Sequence, residues 1–564
     1  MIGFGDISVV GSTITPSLFG GNVLSYRNEL DAEDGYAGAI DDLGVTDLRF
    51  PGGSLTEYYF DITNPDSDVG VHSETGQVKP LIPLSDFLRF AEANEHTATI
   101  VIPSRHYLSD DRDENGDRYA SVEEDELREY IRDVASGKYG AAEITAFEIG
   151  NEYWHSGDMT AVEYGRVASE MVNIVDDEIS ALSDQFPAAA YIDIIVQVGQ
   201  NNGTGELDDF SDGQSSAEIV EDFEQAFDLE LDDDAIYSGG RTNFANIANE
   251  MIISEFEKSG AIDAIDGVVA HVYSHGSEFS GSRTFLLDQV EATWLEEYPD
   301  LEIYVTEWNL KNSTDFLEGD EDFGLHQAAE MLNIVEEFAL YDVESANVWP
   351  LIQVTDNALS LTGVYGDQNA PGAMFQMMSE NLAGKKLLNL NPNDTSKTEA
   401  EFEDMTVHGF ADRSDLLFYV ASNHENGVVE TNLDIGALVA EFNTIEIRIL
   451  GVEDGAEIGS NHSPAVVEAV DASEAIRDGF IDVPLDPGEI AQIIVRDYVF
   501  SDGYEDVLND AEGSEVLGAS NTIPIVEIEE EPSEGDFSSD DDDGGSAFDW
   551  ILSLLPLAGL LGLG

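Results

Sequence analysis

Two glutamates stand out from the chain's other carboxylates because of what precedes them. Phe147-Glu148-Ile149-Gly150-Asn151-Glu152-Tyr153-Trp154 and Ile303-Tyr304-Val305-Thr306-Glu307-Trp308-Asn309 are β-branched or aromatic runs, each delivering a glutamate where a strand would end. Enzymes built on barrels keep their chemistry at the C-terminal ends of the strands. One carboxyl group that protonates a leaving oxygen and a second that attacks the anomeric carbon are the minimum machinery for breaking a glycosidic bond with retention. Glu152 and Glu307 are therefore the expected catalytic pair. Each lies close to a tryptophan, Trp154 or Trp308, and an apolar neighbour raises a carboxyl pKa in the direction an acid catalyst needs.

For these side chains to meet, the chain must bring distant strands to one face. Eight short apolar runs are spaced for this. They are Phe19–Asn22, Asp47–Phe50, Thr99–Ile102, Ala146–Ile149, Ile192–Val196, Val268–His271, Ile303–Thr306 and Ala346–Trp349. Near-continuous apolar runs suit strands buried on both faces, as in a parallel sheet. Helical spacing of apolar residues falls between them, at 85–93 with Ser85 as the cap, 163–179, 245–256 and 325–340. Strands alternating with helices over this length predict an α/β fold, a (β/α)8 TIM barrel over 1–385. From Lys386 to about residue 500 the pattern changes to short strands separated by turns, which predicts a C-terminal all-β sandwich. Gly5 to Val10 reads as a strand without a helix of its own. Residues 1–15 are expected to pair with the sandwich. Residues 501–564 are acidic and rich in Gly, Ser and Pro, and read as a disordered tail.

As a set, these motifs resemble clan A of the retaining glycoside hydrolases, nearest to the arabinofuranosidase, xylosidase and glucuronidase-type families that join a barrel to a β-sandwich. Gly150-Asn151-Glu152 follows strand four and Thr306-Glu307-Trp308 follows strand seven. Arg49-Phe50-Pro51-Gly52-Gly53 follows strand two, and His271-Val272-Tyr273 lies at strand six. The resemblance implies that Glu152 is the acid/base and Glu307 the nucleophile. It implies that Asn151 bonds the sugar hydroxyl next to the anomeric carbon, and that Arg49 holds the nucleophile by charge and guanidinium hydrogen bonds. Tyr273 would bond the nucleophile or the sugar, His271 would line the same end, and Trp349 would floor the sugar. His106 and His275 are lesser candidates for lining it. Asn22 stands where some of these families place a substrate-binding carboxylate, so sugar specificity is not carried over. The expected substrate is an oligo- or polysaccharide, and no cofactor is required. The same residues would serve a transglycosylase. An inactive barrel acting as a carbohydrate-binding or adhesive surface protein is the reading from another class.

Asp111-Arg112-Asp113-Glu114-Asn115-Gly116-Asp117 opens like a calcium loop, with Asp111, Asp113, Asn115 and Asp117 as ligands and Gly116 at the turn. Val122 stands where the twelfth-position glutamate belongs, so a structural calcium competes with a solvated acidic loop.

Lys and Arg number 22 against 117 Asp and Glu, a formal net charge of −95. That balance argues against nucleic acid as a partner, because phosphate contacts need clustered cations, and against anionic membranes for the same reason. There are no cysteines, which excludes disulfides and thiolate chemistry. Met1–Asp6 has no basic or long apolar region, so no cleavable signal is expected there. The apolar stretch Trp550–Leu557 contains Pro556 and is shorter than the ~20 residues a spanning helix needs. An acidic, cysteine-free chain with such an end resembles substrates of type I secretion machinery. This implies an extracellular protein exported by a C-terminal signal, the alternative being the cytoplasm of a salt-accumulating organism. A charge of −95 repels itself across the whole surface once the Debye length grows from ~8 Å toward ~30 Å in dilute buffer. The melting temperature is accordingly expected to fall steeply from molar sodium chloride to dilute buffer; a flat profile would contradict this.

Overall fold

The structure, a computed structural model, describes residues 7–508 apart from 27–29, 31–35, 202–213, 313–316, 318–320, 353–354, 361–367, 392–397, 403, 425 and 505. The tail beyond Leu508, with its apolar end, lies outside the described residues.

Eight parallel strands close into a barrel: Gly20–Asn22, Asp47–Phe50, Thr97–Ile102, Ile144–Ile149, Asp193–Gln197, Gly267–Ser274, Glu302–Leu310 and Val343–Val348. They are the eight runs read from the sequence. Strand eight pairs back onto strand one, with Asn347 opposite Gly20 and Val348 opposite Gly21. Helices between the strands include Leu84–Ala93, Glu124–Ala135, Ala161–Leu182, Phe244–Ser259, Gly281–Ala292 and Leu325–Leu340, and Ala370–Asn381 follows strand eight. The helix expected to be capped by Ser85 instead starts at Leu84 after Pro83, a residue whose fixed φ suits an entry to a helix. Among the described residues no helix is long and apolar enough to cross a membrane.

The two-residue period of the strands sorts their side chains. Phe147, Ile149, Val268, Ala270, Val272, Val305 and Trp308 belong to the large core that includes the helices. Ala146, Ile195, Val269 and Tyr304 form a separate apolar group within the barrel. Two residues further along the same four strands come Glu148, Gln197, His271 and Thr306, all buried. An apolar layer thus floors a polar one, and the polar layer faces the C-terminal mouth.

The sandwich is built on an antiparallel sheet in which Lys386–Asn389, Met405–Ala411, Asp415–Ser422, Ile490–Arg496, Thr444–Val452 and Ala465–Val470 follow one another. Both faces of its strand Asp415–Ser422 are buried. Leu417, Tyr419 and Ala421 pack into the core shared with the barrel. Their alternates Leu416, Phe418 and Val420 pack into the sandwich core. This explains why Asp415–Ser422 reads as an unbroken apolar run rather than an alternating one. Tyr419 Oη donates to the Met377 carbonyl at 3.0 Å, and Gln492 Nε2 donates to the same carbonyl at 3.2 Å, tying the sheet to helix Ala370–Asn381.

Ser8–Thr13 forms the outer strand of this sheet, antiparallel to Lys386–Asn389, with Val9 opposite Leu388. Val9 enters the sandwich core and Val10 the barrel core. Deleting residues 1–13 would open an edge and remove two buried valines worth ~1.5 kcal/mol each. The calorimetric unfolding midpoint should drop, and an unchanged endotherm would show that this strand is dispensable.

Candidate active site

Glu152 reaches the mouth through a sharp turn at the end of strand four. Gly150 takes a φ of +79°, and a Cβ there would come within 2.7 Å of Ser104 Oγ. Glu152 itself sits at φ +45°, a region that costs a non-glycine residue roughly 1 kcal/mol or more and clusters at functional sites. The turn is held from below by Glu57, which is fully buried. Its carboxylate accepts from the backbone N–H of Asn151 at 2.8 Å, of Ser104 at 3.0 Å and of Arg105 at 2.9 Å. Burial raises the Glu57 carboxyl, and these donors pull against that rise. One side chain thereby ties the ends of strands three and four together.

Glu307 is placed by a bulge. Val269 lies opposite Tyr304, yet His271 lies opposite Glu307, so strand seven carries one extra residue between them. The same extra residue appears against strand eight, where Val305 faces Ala346 and Trp308 faces Val348. Bulges re-aim side chains next to active sites. Here Thr306 and Glu307 both join the polar network inside the mouth. Trp308 turns into the helical core, edge-on to Phe338 with ring centroids 5.5 Å apart. The expectation that Trp308 sets the protonation of Glu307 is corrected accordingly.

Arg49 joins the parts. Its Nε and Nη2 donate to Glu148 Oε2 and Oε1, both at 2.7 Å. Nη1 donates to Glu307 Oε1 at 2.7 Å and to Asn22 Oδ1 at 3.0 Å, and Nη2 also donates to Asn151 Oδ1 at 2.7 Å. The guanidinium is wholly buried. Burial alone would loosen its proton, but the charges of Glu148 and Glu307 outweigh burial and raise its pKa further. Glu148 is completed by Gln197 Nε2 at 2.6 Å and Thr306 Oγ1 at 3.2 Å.

A carboxylate oxygen of Glu152, one of Glu307 and a ring nitrogen of His271 all lie within 4.8 Å of one another. Tyr273 Oη donates to Glu307 Oε2 at 2.8 Å, so each Glu307 oxygen has a donor. His271 Nδ1 is 3.1 Å from Glu152 Oε1, and Nε2 is 3.2 Å from Thr306 Oγ1. Burial pushes Glu152 up, but the hydrogen bond and charge of His271, helped by Lys311 and His155, hold it below the usual carboxyl range. Burial pushes His271 down, and Glu307 and Glu152 more than reverse this. Both directions favour a carboxylate on Glu152 beside a protonated imidazole on His271. Trp154 meets His271 edge-on at 6.2 Å, so histidine rather than tryptophan governs the protonation of Glu152. Glu152, His271 and Glu307 could each offer an atom to a metal ion, which would compete with Arg49 and Tyr273 for Glu307.

The remaining expected residues divide. Trp349 and Tyr273 line one cavity. The tryptophan lies against Gly53, where a Cβ would come within 2.7 Å of its ring. Asn151 is buried, with Nδ2 3.3 Å from Ser156 Oγ. Asn22 is fully buried, and its Nδ2 donates to the carbonyls of Thr306 at 2.9 Å and Asn347 at 3.2 Å while Oδ1 serves Arg49. It is a brace across the barrel. His275 is half-buried near the mouth, and burial, then Lys311, lowers it to about 4. His106 is exposed on the loop after strand three.

The acidic loop is a hairpin turn between Leu108–Arg112 and Arg118–Ala120. Asp113 Oδ1 accepts from the backbone N–H of Asn115 and Asp117, and Oδ2 accepts from Arg166 at 2.6 Å. Asp117 accepts from Thr160 Oγ1 at 2.7 Å, Asn115 Nδ2 donates to the Ala226 carbonyl at 2.9 Å, and Asp111 is exposed. These side chains diverge onto protein donors and acceptors and do not fit a calcium ion; the loop's cation is Arg166.

Glu148, Glu57, Gln197 and Thr306 were not singled out from the sequence. Glu148 left a signal, a charge inside the apolar run Ala146–Ile149. Glu57 left none beyond its place after the Pro51-Gly52-Gly53 turn.

No family model and no curated protein sequence matches the chain. Solved structures do. A family 51 alpha-L-arabinofuranosidase from Bifidobacterium longum is similar with a TM-score of 0.57 and 13% identity, over 87% of this chain and 98% of that one. An alpha-L-arabinofuranosidase from Thermotoga maritima gives 0.55 and 16%, over 88% and 100%. A family 44 xyloglucanase from Paenibacillus polymyxa gives 0.51 and 11%, over 87% and 99%. What the chain shares with the arabinofuranosidases is the fold, a TIM barrel joined to a β-sandwich.

Breaking a buried ion pair from one side costs about 3–5 kcal/mol, whereas replacing both partners by apolar groups can be neutral. Arg49→Met should therefore destabilise by about that amount. Arg49→Met combined with Glu148→Met should recover part of it. Additive losses in denaturant titrations would mean that the pair is not coupled.

Proposed function

We propose that the protein is a retaining glycosidase that hydrolyses O-glycosidic bonds by double displacement. One observation carries the reading: two carboxylates on strands four and seven approach within 4.8 Å and are supported differently. Retaining enzymes keep their carboxyl groups ~5–5.5 Å apart, while inverting enzymes need ~6.5–9.5 Å to admit a water. The fold shared with arabinofuranosidases and a xyloglucanase supports the same class. The names of those enzymes point to different sugars, and none is carried over to this chain.

In the first step Glu307 attacks the anomeric carbon. The bond to the leaving oxygen breaks as Glu152 gives that oxygen a proton. Arg49 and Tyr273 hold the two Glu307 oxygens so that attack needs no rearrangement, which is how preorganised donors lower a barrier. The proton resides on the Glu152–His271 pair, and departure of the leaving group draws it through Glu152. In the second step Glu152 takes a proton from water, the water oxygen attacks the glycosyl ester, and Glu307 is released. The sugar leaves with its original configuration. Trp349 offers an apolar face for the ring. Carboxylates alone suffice for this chemistry. The charge of −95 supports a saline working medium.

The roles are separable by rescue. Glu307→Gly should abolish hydrolysis, and azide should restore turnover with an inverted glycosyl azide. Glu152→Ala should lose about 10²–10⁴-fold on poor leaving groups. It should keep activity on activated aryl glycosides and give a retained azide product. Identical responses in the two variants would overturn the assignment, and activity in both without azide would remove these glutamates from the chemistry.

A further inference from the structure

A chain of buried amides runs from the sandwich to the cavity lined by Tyr273 and Trp349. Strand seven holds both backbone groups of Trp349. The Trp349 N–H donates to the Trp308 carbonyl at 3.1 Å, and the Trp349 carbonyl accepts from Asn309 Nδ2 at 2.8 Å. Asn309 lies two residues beyond Glu307, and its Oδ1 accepts from Gln327 Nε2 at 2.7 Å. Gln327 stands in the first turn of helix Leu325–Leu340, and its Oε1 accepts from Asn461 Nδ2 at 2.6 Å. Asn461 belongs to the sandwich, on the segment between Thr444–Val452 and Ala465–Val470. Asn309, Gln327 and Asn461 are all buried.

Backbone groups at the two ends decide which way each amide faces. The Gly324 N–H can only donate, and it meets Asn461 Oδ1 at 2.7 Å. The Trp349 carbonyl can only accept. Between them each side chain must donate to one neighbour and accept from another, which neither a carboxylate nor a hydrocarbon can do. Amides therefore stand here in a protein with 117 acidic residues. The same groups hold the wall beside Trp349, where Thr355 and Asn357 line the cavity. The Asn357 carbonyl accepts from Gln327 Nε2 at 2.7 Å and from Asn309 Nδ2 at 3.0 Å. Asn461 Nδ2 also donates to the Asp356 carbonyl at 2.5 Å. Gly324 brings no side-chain cap to helix Leu325–Leu340. The sandwich supplies the acceptors that a helix start needs: Asn461 Oδ1 for Gly324, and the Ile458 carbonyl for the Leu325 N–H at 2.8 Å.

We propose that Asn461, Gln327 and Asn309 are positioning residues that hold Trp349 beneath the sugar, so that the sandwich takes part in catalysis through the floor of the cavity. The proposal rests on the glycosidase reading, in which Trp349 floors the ring. A displacement of ~1 Å caused far from the chemistry can cost up to ~100-fold in rate. The carboxyl pair is held by other groups, Arg49, Tyr273 and Glu57. Its pH dependence should therefore survive loss of the amide chain.

The test uses the full chain at about 1 M sodium chloride, with its five tryptophans replaced by 5-fluorotryptophan. Trp349→Phe assigns the Trp349 fluorine resonance. Gln327→Met removes the middle amide. Asn461→Asp keeps the acceptor for Gly324 and removes only the donor to Gln327, which spares the helix start if the first variant fails to fold. Each should move the Trp349 resonance by more than its linewidth and leave those of Trp154 and Trp294 in place. On a 4-nitrophenyl glycoside that the protein hydrolyses, each should lower kcat/KM about tenfold with an unchanged pH profile. Tyr419→Phe removes a different bond between sandwich and barrel and should alter neither readout. A Trp349 resonance that stays in place in the folded variants overturns the proposal. So does a moved resonance with wild-type kcat/KM, or an equal loss in Tyr419→Phe. If the protein hydrolyses no glycoside, the glycosidase reading fails and the resonance alone decides the coupling: a shift supports it, and none overturns it.

Discussion

A single buried guanidinium organises the mouth of this barrel. Arg49, on strand two, holds Asn22 from strand one, Glu148 and Asn151 from strand four, and Glu307 from strand seven. A charge without water needs every donor satisfied. That requirement fixes the relative positions of four strands. Glu148 supplies the strongest anchor through a two-point contact, the geometry that suits arginine and not lysine. Glu307 then meets only part of the guanidinium, and its other oxygen remains within reach of Tyr273 and His271.

Two local departures from ideal backbone complete the arrangement. Glu152 lies in the left-handed region and Glu307 beside a bulge. Regular strands alternate their side chains, so neither carboxylate would face the other on unperturbed strands. Both distortions are stabilised by their surroundings. The buried Glu57 carboxylate collects backbone donors under the first. The Trp308 ring, driven into the apolar core between Phe338 and Phe375, anchors the second.

Several of the scarce cations are used inside. Arg49 is buried, Arg283 binds Glu330 with two nitrogens, Arg118 binds Glu163, and Lys385 binds Asp412. Carboxylates outnumber cations 117 to 22, and some titrate late. Burial, then neighbouring acids, raise Asp193 to about 6 and Glu250 and Glu291 to about 7. A carboxyl raised in the fold binds its proton more tightly there than in the unfolded chain. Its stabilising contribution is present at low pH and is lost as pH climbs through the raised value.

Much of this was legible without coordinates. The eight barrel strands follow from continuous apolar runs, because a strand covered on both faces has no polar side to show. Glu152 and Glu307 follow from their place at strand ends, and the sandwich from its shorter repeats. Tertiary structure alone decided the rest, for a physical reason: a side chain's direction at a turn or bulge depends on its partners, which sequence spacing does not record. Thr306 and Glu307 are neighbours in sequence, yet one extra residue in the register turns both into the mouth and leaves Trp308 in the core outside the barrel. Asn22 and Asn151 both read as sugar contacts, and the fold buries both with their Oδ1 atoms on Arg49. The Asp111–Asp117 loop has the composition of a calcium site, but Arg166, dozens of residues away, is the cation it meets.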